Sequence, residues 1–350
     1  MESTAIGFPP VTIAVFVGLV VVALIVDLMS HRKDKPLTLL NASLWSIFWV
    51  LVSLAFAGYL YLSHGSSVAS LYLTGYALEK VLSVDNLFVF MAIFTWFKVP
   101  DEYRHRVLYW GIIGAIVFRM VFVVIGTSLL SFGPWVEIGF ALIVAWTAVV
   151  MMRGGEGGDD TADYSEHIAY RATHRLFPVW PKLHGHHFFV KRKDLDEEMQ
   201  KPENQGMSPL GKGVFFATPL FLCLTVVEVS DVMFAFDSVP AIIAVSREPL
   251  IIYSAMLFAI LGLRTMYFVL EALKRFLSHL EKAVVALLFF IAAKLALNAT
   301  DHLFHHGYHI EPNTSLIVVL CVLTIGIAAS IIFPEKAELA GVTENNPENI

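Results

Sequence analysis

Runs of roughly 18 or more apolar residues recur from one end of the chain to the other, each enough to cross a ~30 Å hydrocarbon core. Of the 350 residues, 57% are hydrophobic and only 15% charged, where a soluble protein carries about 25% charge. Mean hydropathy is +0.69. The pattern predicts an all-α polytopic membrane protein. Nine spans are expected, near 10–29, 41–62, 71–97, 107–130, 134–152, 213–243, 249–271, 281–300 and 314–333. The first lacks a basic flank before it and a small-residue cleavage site after it, so it is expected to be retained rather than removed as a signal peptide.

Basic residues set the expected orientation, because cytoplasmic loops collect Lys and Arg. The first loop holds Arg32, Lys33 and Lys35, and the third Lys98, Arg104 and Arg106. The fifth, 153–212, holds nine Lys and Arg, and the seventh holds Lys274, Arg275 and Lys282. The even-numbered loops together hold only Arg247. The odd loops are therefore expected in the cytoplasm, with the N-terminus outside and the C-terminus inside. This divides the chain into a membrane half at 10–152, a cytoplasmic linker at 153–212, a second half at 213–333 and a polar tail at 334–350. The aromatic content of the linker suggests that part of it packs on the membrane face. Cys223 and Cys321 lie singly in apolar spans, which offers neither a disulfide framework nor a thiolate metal site.

Against this background the buried acids stand out. "ALEKVLSVDNLFVF" in the third span holds Glu79 and, six residues on, Asp85 followed by Asn86. "VSDVMFAFDSVPAI" in the sixth holds Asp231 and, six residues on, Asp237 followed by Ser238. The next spans each carry a central arginine, Arg119 and Arg264, and the spans after those open with Glu137 and Glu281. Spans three to five thus echo spans six to eight. Repeats of three spans have opposite orientations, which is the inverted-repeat pattern of secondary transporters, with the site expected between the repeats near the midplane.

Each central Asp or Glu costs about 2.5–3.5 kcal/mol in a bilayer. Glu79, Asp85, Glu228, Asp231 and Asp237 must therefore face a cavity, the bundle interior or cationic partners. Lys80, Arg119, Arg264 and Lys294 are the candidate partners. Carboxylates joined by the neutral oxygens of Asn86 and Ser238 suit a hard divalent cation such as Mn²⁺, Mg²⁺ or Ca²⁺. Six residues turn a helix by about 240°, so Glu79 shares a stripe with Asn86 rather than with Asp85, as Asp231 does with Ser238. A local break near Asp237, aided by Pro240, would relieve that mismatch, and Pro219 is a candidate kink. Asp27 is expected as an interfacial carboxylate with a possible part in the ion path. Glu137 and Glu281 are expected at helix starts, where the dipole favours an acid. The histidines of the linker (His184, His186, His187) and of the last external loop (His302, His305, His306, His309) are expected in solvated loops.

No phosphate-binding loop, dinucleotide fingerprint or nucleophile elbow is present, and no basic stripe for nucleic acid. An enzyme is not expected, nor a permanently bound cofactor. The alternatives left open are a membrane scaffold that docks partners through 153–212 and an anion carrier built on Arg119 and Arg264.

"LEKVLSVDNLFVF" and "FAFDSVPAIIAVS" resemble the two signature segments of the TerC family of integral membrane proteins, and the resemblance extends over roughly residues 10–333. It implies a multi-pass protein of the bacterial inner membrane, related to small exporters, with relatives implicated in manganese export and a family phenotype of tellurite resistance. Its signature acids fall on Glu79, Asp85, Asp231 and Asp237, with Asn86 and Ser238 beside them. The expectation is export of a divalent cation, foremost Mn²⁺, through these groups. Other tellurite-resistance proteins are possible partners at the linker.

Overall fold

The computed structural model describes residues 7–30, 38–154, 167–199, 213–273, 280–305, 307 and 310–332. Long apolar stretches form the helices α1 (Pro10–Ser30), α2 (Leu39–His64), α3 (Ser66–Trp96), α4 (Asp101–Leu129) and α5 (Pro134–Gly154). After the linker come α8 (Pro219–Val245), α9 (Pro249–Ile260), α10 (Leu263–Leu273), α11 (Leu280–Phe304) and α12 (Pro312–Ile332). Among the described residues, seven helices are long and apolar enough to cross a membrane, and an eighth crossing results if α9 and α10 count as one. The helix outside that count is α3, the 31-residue helix that carries Glu79, Lys80 and Asp85.

The start signals are local. Asp101 and Glu102 occupy the first turn of α4, where the exposed amides favour negative charge. Pro219 stands at the first helical position of α8, where its missing N–H costs nothing. It opens this helix instead of kinking it.

Two expectations change here. The span expected at 213–243 begins only at Pro219, because Phe215–Ala217 forms strand β2, antiparallel to β1 (Phe189–Lys191). The fold is therefore not purely helical. The linker also forms α6 (Ile168–Leu176) and α7 (Arg192–Met199), and α6 packs on α8. The second change concerns the helix break. α8 runs unbroken through Pro240, and the discontinuity lies in the seventh span, between α9 and α10, with a bend of 54°. Gly262 turns there at φ +75°, a region open to glycine, with the Trp49 ring packed against it.

The main core clusters pack helix against helix. α3 packs on α2, α8, α9 and α12, and α5 packs on α11. A glycine-lined seam joins α4 and α8. Gly111 sits on Val227, Gly114 on Glu228, and Gly126 on Val239 and Ile243. Small residues let helix backbones approach in a membrane interior.

Candidate functional site

The site is built where α3, α4 and α8 meet. Glu79 is fully buried, Arg119 is 2% exposed and Asp231 4%. The Arg119 guanidinium forms an ion pair with Glu79 through Nη1. On its other side Nη2 donates to Asp231 Oδ1 at 3.1 Å and Nε to Oδ2 at 3.5 Å. Asn86 completes the ring. With its amide placed so that Nδ2 donates to the Leu82 carbonyl at 3.1 Å, its oxygen accepts from Arg119 Nη2 at 3.3 Å. Glu79 and Asn86, two helical turns apart, thus reach one guanidinium, as their shared stripe predicts. One cation holds acids from two different helices.

Beside this cluster lies a cavity of about 250 Å³, lined by Leu82 and Asn86 of α3, Thr147 and Met151 of α5, and Phe234 and Ser238 of α8. Ser238 is buried, and its hydroxyl has no hydrogen-bond partner among the described residues. Asn86 and Ser238, the neutral members of the two motifs, therefore line one space. The backbones of Asp85 and Asp237 lie within α3 and α8, and their side chains fall outside the described residues. Among the described residues no three His, Cys, Asp or Glu side chains gather as a metal would require. The guanidinium stands between two of the acids.

Glu228, three residues before Asp231, lies in the α4–α8 seam. A Cβ at Gly114 would overlap its carboxylate, so α4 leaves this space by having glycine there. Oε2 of Glu228 is buried without a hydrogen-bond partner among the described residues.

The second arginine does not mirror the first. Arg264 Nη2 donates to the backbone carbonyl of Asp27 at 2.5 Å. Asp27 is 2% exposed and sits in the field of Arg264 and Lys80, so it is not the interfacial carboxylate expected. α2, α3 and α10 cover it. Lys80, expected as a carboxylate partner, donates from Nζ to the carbonyls of Ala259 and Leu261 at 3.0 and 3.2 Å. These are carbonyls that the break in the seventh span frees from helical bonding. Lys294 likewise meets a hydroxyl rather than an acid, donating to Ser315 Oγ at 3.0 Å.

On the side of the even-numbered loops, Glu137 lies in the first turn of α5 as expected. It also accepts from Arg247 Nη2 at 2.7 Å, with His302 Nδ1 at 3.6 Å from the same oxygen. His302 is thereby tied to the helix bundle, unlike a freely solvated loop residue. His306 and His309 lie outside the described residues, as does the Glu281 side chain.

Sequence reasoning missed the parts played by Gly114, Gly262 and Lys80. The only signal was a glycine or a lysine inside an apolar run, and neither identifies its partner in space.

Comparison with known proteins agrees with the motifs. A protein of Serratia marcescens named tellurium resistance protein TerC is 67% identical over 341 residues, covering 97% of this chain and 98% of its own. One of the same name from Alcaligenes sp is 67% identical over 340 residues, covering 97% and 98%. A putative membrane-bound redox modulator Alx of Photorhabdus laumondii is 35% identical over 320 residues, covering 89% and 91%. No solved structure matches the chain. The profile described as integral membrane protein TerC family matches residues 63–338, which include every motif acid and both motif arginines, and the chain belongs to that family.

Proposed function

We propose that this protein exports a divalent metal cation, foremost Mn²⁺ with Mg²⁺ and Ca²⁺ as alternatives, through a site between two inverted repeats. The observation that carries the reading is that buried acids of the two motif helices, Glu79 and Asp231, close on a single cation. Acids inside a membrane mark ion paths, and these two are built to hold positive charge. α3 is then the ninth span, crossing despite its charges because they face protein. In this reading the chain sits in the bacterial inner membrane with its N-terminus outside and its C-terminus inside, an orientation that the basic loops favour. Asp85 and Asp237 join the site by their place in the motifs.

An anion carrier is disfavoured. Two carboxylates outweigh the one guanidinium, and Arg264 is engaged at Asp27. Tellurium resistance, the trait in the relatives' names, would follow indirectly from metal balance. One observation supports a docking role as second reading. The linker forms a folded module, and an open cavity of about 540 Å³ lies where it meets α3 and α8, between Trp96, Tyr170, His174, Leu183 and Pro219.

The test is total cellular metal by elemental mass spectrometry in manganese-challenged cells. Cells with the wild type should hold less manganese than cells with Asp231→Asn, Asp85→Asn or no protein, at equal membrane levels. Equal metal in all four, with tellurite tolerance still dependent on the protein, would sink the export reading and leave the docking one.

A further inference from the structure

We infer that Arg119 is a resident counter-cation occupying the metal's place, that metal must displace it, and that the displaced guanidinium moves along the α4–α8 seam to Glu228. The inference rests on the export reading and deepens it.

Three observations converge. First, the guanidinium takes Glu79, Asp231 and Asn86 together, so the described groups best suited to a hard dication already hold a positive charge. A dication and a guanidinium cannot both sit between the same two carboxylates without strong repulsion, which is undiminished where water is scarce. Second, a largely apolar cavity adjoins the cluster with Asn86 and Ser238 in its wall, and the buried Ser238 hydroxyl has no hydrogen-bond partner among the described residues. Third, Glu228 lies three residues before Asp231, about 4.5 Å along the helix axis. It is on the same seam with Arg119's own helix, and one oxygen is buried and unpaired. Gly114 on α4 holds that space open. Gly114, which lies against Glu228, is five residues before Arg119 on α4, so the guanidinium and Glu228 share one seam.

The exchange gives the site a reason to be empty of stray cations. Without metal, Arg119 offsets part of the acids' charge and bridges α3 and α8. With metal, the acids bind it and Arg119 pairs with Glu228, so the displaced guanidinium is not left alone. Removing a partner from a buried pair is costly, and exchanging partners avoids that cost.

The full-length protein would be purified in lipid nanodiscs, and Mn²⁺ binding read by electron paramagnetic resonance beside Mn²⁺ flux in proteoliposomes. Arg119→Gln should bind Mn²⁺ at least tenfold more tightly than wild type, because the competitor is gone, and should move it at least tenfold more slowly. If Arg119→Gln is poorly folded without metal, Mn²⁺ should raise its melting temperature more than it raises that of the wild type. Glu228→Gln should leave Mn²⁺ affinity within a few-fold of wild type or weaken it modestly, while slowing flux. Wild-type flux with equal or weaker binding by Arg119→Gln, and no larger melting shift, would overturn the exchange and spare the export reading. Absence of Mn²⁺, Mg²⁺ and Ca²⁺ binding and flux in the wild type would overturn both.

Discussion

Glu79 and Lys80 are neighbours on α3, yet they bind that helix to two different parts of the bundle. Glu79 holds Arg119 of α4, and Lys80 caps the carbonyls of Ala259 and Leu261 where the seventh span breaks. One turn of one helix therefore touches both the acid cluster and the bend.

Lys80→Met should loosen the bend before it disturbs the acids. It leaves two buried carbonyls without their donor, at about 1–3 kcal/mol each. The melting temperature should fall, and amide exchange should rise across residues 256–266 while the α4–α8 seam stays protected. Uniform loss of protection throughout the bundle would mean that Lys80 supports the whole fold, not the break.

Gly262→Ala tests the bend from the backbone side. The φ of +75° costs a non-glycine residue about 1–2 kcal/mol, and the new Cβ would come within 2.5 Å of Trp49 Cδ1. The variant should be destabilised by more than the backbone term alone. Adding Trp49→Leu should recover the steric part of the loss and leave the backbone part. If the double variant is no better than the single one, the Trp49 contact does not limit the turn.

Acidification should loosen the linker module. His167 Nδ1 accepts from the Ala169 amide to cap α6, which requires an unprotonated nitrogen. Burial lowers the pKa of both His167 and His174 below the usual imidazole value. The folded module thus binds fewer protons than the unfolded one, so stability is present above about pH 6.5 and lost as pH falls through the imidazole range. Amide protection of residues 168–176 should drop as pH falls below about 6.5, and His167→Asn, which caps without titrating, should flatten that drop. A pH-independent wild type would show that neither imidazole is linked to folding.

Much of this was visible in the residues. Apolar run length located the helices, and the paired motifs picked out Glu79, Asn86, Asp231 and Arg119 before any contact was known. Charge cost explains why: an acid in an apolar span must find a partner, so its presence announces a site. The partners were less legible. Arg119 and Arg264 look equivalent along the chain, yet one meets two acids and the other a backbone carbonyl, because that choice depends on which helices adjoin. The break was expected near Pro240 and lies at Gly262. A proline in a long helix can be accommodated by its neighbours, whereas a positive φ cannot continue a helix at all. The strands at 189–191 and 215–217 were hidden since three residues carry too little periodicity to be read.

The pairing of β1 with β2 sets where α8 starts. Thr218, the residue before α8, donates its hydroxyl to the carbonyl of His187 at 2.8 Å, and its amide donates to Phe188 at 3.0 Å. The helix that carries Glu228 and Asp231 is thus indexed from a folded module rather than from the edge of the lipid. Helices fixed only by their apolar length tilt or shift when bilayer thickness changes. Here a thicker or thinner membrane would have to deform around α8, and the depth of its acids would stay constant relative to the module beneath them.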